Sequence, residues 1–184
     1  MNIFDSHCHL DDKAYRKDLV QVIDRARQAG VARMMTVGVN KNTAERAVEL
    51  AESHPGIYAS VGFHPHDASQ CSADELDFLT ELAQNQQVKA WGEIGLDYNR
   101  MYSPREDQEK WFIRQLQIVA ELNLPVIFHE RDTNGRFLEI LKTDFKNESA
   151  GVVHCFSGTA PEIEDYLDLG LYIGITGILT LRAR

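Results

Sequence analysis

Short apolar runs alternate with amphipathic helical segments from one end of this chain to the other, and no other feature restricts its fold as much. The runs Asn2–Asp5, Ala32–Val37, Ile57–Gly62, Val88–Gly92, Pro125–Phe128, Gly151–Val153 and Leu171–Ile175 read as strands. Between them, the helix expected over Tyr15–Ala29 spaces Leu19, Val22, Ile23 and Ala26 three and four residues apart. The next helix sets Ala44, Ala47, Val48 and Ala51 on one face. Ser72–Glu75 and Ser103–Glu106 read as capping boxes, the second with Pro104 at the first helical position. Phe112, Leu116 and Val119 keep the helical spacing, as do Phe137, Ile140, Leu141 and Phe145, and a last helix is expected over Pro161–Leu169.

Strands apolar on both faces belong in a parallel sheet covered by helices. Units of roughly thirty residues suit right-handed crossovers. A doubly wound open sheet and a (β/α)8 barrel both satisfy the pattern. No Gly-x-Gly-x-x-Gly or Walker-type loop is present, so the nucleotide-binding form of the open sheet has no support. Closed barrels of this type need eight strands and run to about 250 residues. This chain has 184 residues and stops soon after the seventh strand, leaving the apolar Gly177–Leu181 stretch without partners. One domain over residues 1–184 is expected, with its C-terminal part missing.

A net charge of −9 supplies no long-range attraction toward polyphosphate, so any nucleic acid must be met by a local positive site, such as bound metal ions. No apolar run reaches about eighteen residues, so no membrane span is expected. The opening Met1–Leu10 has neither a basic nor an apolar signal region. Three scattered cysteines, Cys8, Cys71 and Cys155, argue against a disulfide framework and for reduced thiols in the cytoplasm.

The metal-capable side chains gather at one end of the strands. His7 and His9 follow the first, Glu93 the fourth, His129 the fifth and His154 the sixth. In barrels the C-terminal strand ends are where active sites are built. A lone histidine there is more often a hydrogen-bonded core residue, but four of the seven histidines plus a glutamate at the same end of four strands make that reading weak. Side chains two apart on an extended segment point the same way about 6.5–7 Å apart, so His7 and His9 can converge on one ion. Nitrogen and carboxylate donors suit zinc, manganese or magnesium. The expected arrangement is one ion on His7, His9 and Glu93, and a second on Glu93, His129 and His154. Two ions about 3.5–4 Å apart can hold and acidify a water.

Other residues are weaker candidates. His64 and His66 follow the third strand, where they either reach a substrate anion or stabilise a Pro-constrained turn. Arg131 either grips a phosphate bidentately or pairs with Asp132 at the surface. Asp97 and Tyr98 are expected in a loop at the mouth, and Cys8, Cys155 and Trp91 in the core.

The chain resembles the TatD family of metal-dependent deoxyribonucleases. The matching stretches are Phe4–Leu10, Gly62–His66, Gly92–Tyr98, Pro125–Asp132, His154–Gly158 and Thr176–Thr180, in family order and over nearly the whole chain. The resemblance implies an α/β, TIM-type (β/α)8 barrel, here incomplete with about seven parallel strands and no eighth. It implies phosphodiester hydrolysis on DNA, often from the 3′ end of single strands, with two divalent ions on the five ligands above. In the two-metal mechanism preferred on these residues, Glu93 bridges the ions while His64 and Arg131 help place the phosphate. The family's eighth-strand aspartate is absent, so the first ion is expected to bind more weakly than the second, and the open sheet edges invite association. Two alternatives accompany this reading: an amidohydrolase of a cyclic amide or ester, and an inactive fragment. Related amidohydrolases often bridge their metals with a carbamylated lysine at the fourth strand, where this chain has Glu93.

Overall fold

The computed structural model describes residues 2–146 and 150–180. Its strands are β1 (Ile3–Cys8), β2 (Val31–Val37), β3 (Ile57–Val61), β4 (Val88–Asp97), β5 (Val126–Arg131), β6 (Gly151–His154) and β7 (Leu171–Ile173). They lie side by side in chain order, each parallel to its neighbours. Helices α1 (Leu19–Gln28), α2 (Lys41–Ser53), α3 (Ala73–Leu82), α4 (Arg105–Leu122), α5 (Arg136–Asp144) and α6 (Ala160–Asp168) occupy the crossovers. A doubly wound sheet reverses its strand order at a switch point. Here the order never reverses, which is the barrel arrangement. Among the described residues β1 and β7 do not pair, so the sheet is a curled seven-stranded part of a TIM-type barrel. Gly177–Thr180 forms a 3-10 turn, and Leu181, the end of the apolar stretch noted above, lies outside the described residues.

The main core lies between sheet and helices. Phe128 of β5, Phe112 of α4 and Phe137 of α5 are fully buried. The rings of Phe112 and Phe137 stack with centroids 5.2 Å apart, and Phe128 meets Phe137 edge-on at 5.6 Å. Truncating Phe137 leaves a cavity that three elements cannot all close. Phe137→Ala should therefore cost about 3–5 kcal/mol in urea denaturation. A loss under about 1 kcal/mol would contradict this packing. A smaller cluster of Met35, Val37, Ala90 and Ile127, with Val152 and Tyr58 against it, occupies the inner face of the sheet. Ile127 and Val152 each stand two residues before a site histidine on their own strand, so they floor the site.

Several boundaries differ from the sequence reading. β1, β4, β5 and β6 run on to Cys8, Asp97, Arg131 and His154, so His7, Glu93, His129 and His154 sit within strands. Lys13–Tyr15 is a separate 3-10 turn, with Asp12 accepting the Ala14 N–H, and α1 begins only at Leu19. Ser72 caps α3 by accepting the Glu75 N–H, but the reciprocal bond from the Glu75 side chain that completes a capping box is not seen among the described residues. Ser103 does not cap α4, whose N-cap is Pro104. Its hydroxyl instead donates to the His66 carbonyl at 2.8 Å and accepts the Ser69 N–H at 3.0 Å, tying this loop to the one after β3.

Candidate metal centre

The site is centred on β4. Gly92 pairs with Ile127 and Ile94 with Phe128, which leaves Glu93 as the extra residue of a bulge. Its carboxylate is buried and lines a cavity of about 450 Å³ shared with His7, His9, His64, His129, Arg131 and His154. The five expected ligands, together with His64 and Arg131, therefore face one space. In β5 the residues at 127, 129 and 131 share a face, which brings His129 and Arg131 to the same wall.

Glu93 reaches two sets of imidazoles. Its Oε2 lies 3.4 Å from His7 Nε2 and 3.8 Å from His64 Nε2, while its Oε1 lies 2.9 Å from His129 Nδ1. The His7 and His154 rings stack at 3.4 Å, nearly parallel. Donor atoms of His7, Glu93 and His154 all lie within 4.8 Å of one another, as do those of His64, His66 and His129. This grouping differs from the partition expected from sequence. His129 falls with the histidines after β3, and His9 belongs to neither group. The Nδ1 of His9 lies 3.2 Å from the Val37 carbonyl, and donating there leaves Nε2 with the lone pair.

Burial alone would raise the Glu93 carboxyl, but hydrogen bonds from His129 and His7 outweigh it and hold the group well below the usual carboxylate range. Burial would lower His129, yet its bonds to Asp97 and Glu93 bring it up to about 9. His64 is pushed down to about 3 by burial, with Glu93 opposing only in part. Burial and the neighbouring His7 push His154 down to about 4. At neutral pH His154 thus keeps a free lone pair, whereas neutral His64, whose Nδ1 accepts the His66 N–H at 3.1 Å, turns its Nε2 N–H toward the ionised Glu93 carboxylate.

This donor set matches a divalent metal in its chemistry. The buried His7 Nδ1 also has no hydrogen-bond partner among the described residues. A buried polar atom left this way is costly unless a ligand engages it. The residues present fit a metal.

The remaining candidates separate. Arg131 is exposed at the rim, and the alternative pairing with Asp132 is not seen among the described residues; Asp132 accepts a hydrogen bond from Asn99 Nδ2 at 2.6 Å. Cys155 lines the cavity and contacts Thr176 Oγ1 at 3.1 Å, so reading it as core does not hold. Cys8 gives its thiol hydrogen to the Met35 carbonyl, and Trp91 is fully buried with its indole N–H on Gln115. Tyr98 donates to Glu109, which is ion-paired with Arg136. Asp97 is not in a mouth loop. It ends β4, is 1% exposed and meets both His66 and His129. Gly92 and Gly95 inside an apolar run were the available signal, since strand glycines mark bulges and close approaches that a run of apolar residues does not show.

Residues 4–184 match the family model described as TatD related DNase. A relative in Erwinia tasmaniensis, named 3′-5′ ssDNA/RNA exonuclease TatD, is 44% identical over 176 residues, covering 95% of this chain and 68% of its own length. YabD of Bacillus subtilis, an uncharacterized metal-dependent hydrolase by name, is 36% identical over 98% of this chain and 71% of its own. Among solved structures, YjjV of Escherichia coli, a TatD homologue, superposes with a TM-score of 0.87 at 31% identity, over 97% of this chain and 70% of that one. With the family model matched over nearly the whole chain and relatives and fold in agreement, this chain belongs to the TatD-related DNase family of hydrolytic nucleases.

Proposed function

We propose that the chain hydrolyses phosphodiester bonds at the 3′ ends of single-stranded DNA, using two divalent ions held by His7, His9, Glu93, His129 and His154. One observation carries this reading: the two oxygens of a single buried carboxylate, Glu93, face two separate imidazole groups. Magnesium, manganese or zinc bound there would acidify a water toward a pKa of about 7 and offset charge on the phosphoryl oxygens. Glu93 joins the two halves of the site. His64, neutral and buried, offers a ring N–H beside Glu93. Arg131 presents its guanidinium at the rim, where a phosphate can be gripped bidentately. The overall acid excess makes this local cation the more important for holding a polyanion. Reduced, unpaired Cys8, Cys71 and Cys155 suit a cytoplasmic setting.

The test is cleavage of a 5′-labelled single-stranded oligonucleotide with magnesium or manganese, beside the same strand blocked at its 3′ end. Stepwise shortening of the free strand, abolished by chelator and by the block, is expected. Cutting of the blocked strand would remove the end preference. No cleavage of DNA together with turnover of a cyclic amide would favour an amidohydrolase.

A further inference from the structure

Asp97 stands four residues beyond Glu93, and its two oxygens do different jobs. Oδ1 accepts the backbone N–H groups of Asn99 at 3.0 Å and Arg100 at 2.7 Å, forming the turn that leaves β4. Oδ2 lies 3.1 Å from His129 Nε2 and 2.6 Å from His66 Nε2. Gln108 clamps the backbone of the same residue. Its Oε1 accepts the Asp97 N–H at 2.8 Å and its Nε2 donates to the Asp97 carbonyl at 3.1 Å. Held by the turn and by Gln108, the carboxylate has one oxygen left to present to the imidazoles. The other nitrogen of His129, Nδ1, lies 2.9 Å from Glu93 Oε1.

We infer that Asp97 is a positioning residue for the metal centre: it accepts a hydrogen bond from His129 Nε2 and holds the proton on that nitrogen, so that Nδ1, which donates to Glu93 in the metal-free protein, is the nitrogen that gives up its proton and offers a lone pair to an ion beside Glu93. The inference rests on the reading above, in which His129 is a ligand. A carboxylate behind a ligating imidazole fixes the ring's orientation and tautomer and raises its basicity. Sequence gives no hint of this partnership, because Asp97 and His129 are brought together only by the pairing of β4 with β5.

The two oxygens make the idea separable from a structural role. In Asp97→Asn the turn N–H groups retain the amide oxygen, so the NH₂ group must face His129. An amide NH₂ can only donate. It therefore selects the tautomer with the proton on Nδ1, where it faces Glu93 and obstructs a metal. Asp97→Ser weakens the turn bonds, since a hydroxyl replaces them only in part, but leaves the ring free to adopt either tautomer. A purely structural residue would make serine the worse variant in every assay. The positioning role predicts opposite orders: asparagine worse for metal affinity, serine worse for thermal stability.

Zinc serves as the probe, its affinity measured by competition with a chromophoric chelator, beside melting of the zinc-free proteins and imidazole nitrogen NMR of the zinc-loaded parent. Asp97→Asn should bind zinc about 10–100-fold more weakly while melting near the parent temperature. Asp97→Ser should lose less affinity and melt lower. The parent spectrum should show zinc on Nδ1 of His129 and the proton on Nε2. Unchanged affinity in the asparagine variant, a greater affinity loss in the serine variant, or zinc on Nε2 would each overturn the inference. If neither variant folds, the parent spectrum decides. His129→Ala separates the two levels of the argument. Unchanged zinc affinity there removes the ligand reading and the inference with it, whereas a large loss there beside an unchanged asparagine variant removes the inference alone.

Discussion

Glu93→Gln should lower metal-dependent phosphodiester cleavage on the order of 10³-fold or more. Glutamine fills the same volume in the bulge of β4 but replaces one carboxylate oxygen with an NH₂ donor. The side chain can then no longer offer an acceptor to the His7 side and the His129 side together. It also removes the negative charge that offsets two nearby cations. Cleavage of a labelled single strand over a range of magnesium or manganese checks the outcome, with zinc affinity as a second readout and circular dichroism to confirm the fold. Turnover near the parent level would refute a bridging role for Glu93. Rescue at higher metal concentration would instead show that one of the two groups suffices.

Gly95→Ala should be the most damaging single methyl addition near the site. Gly95 has a φ of +145°, a conformation that L side chains rarely adopt, and a Cβ there would collide with the His129 carbonyl oxygen across the β4–β5 pair. Backbone strain of this kind costs about 1–3 kcal/mol by itself. The collision adds to it because neither strand can retreat without disturbing the core. A total of about 3 kcal/mol or more is expected in urea denaturation. Metal affinity should fall as well, since the β5 backbone that carries His129 must move. Gly170→Ala is the matched control. It has φ +73° and nothing within 4 Å of an added Cβ, so only the conformational cost of about 1 kcal/mol applies. Equal losses at the two glycines would show that close approach of β4 and β5 is not what Gly95 provides.

Read from sequence alone, the alternation of apolar runs with helical spacing already specified seven parallel strands and their covering helices, because each element must bury its own apolar stripe. The same alternation put His7, His9, Glu93, His129 and His154 at one end of the sheet, since strand ends are local features. Where the strands stop was less legible. Gly92 and Gly95 interrupt the apolar run of β4, so its continuation to Asp97 depends on pairing with β5, which no short window of sequence contains. For the same reason Ser103 departs from the capping role its spacing predicts: its hydroxyl is bonded to a loop more than thirty residues away and not to its own helix. How the candidate ligands group was decided by tertiary structure as well. Strand order and the bulge at Glu93 settle that His7 stacks on His154 while His129 turns toward His66 and Asp97. Sequence spacing determines which side chains reach the site, because backbone periodicity is local. Which atoms then face one another depends on register between strands distant in the chain, and only the folded sheet sets that.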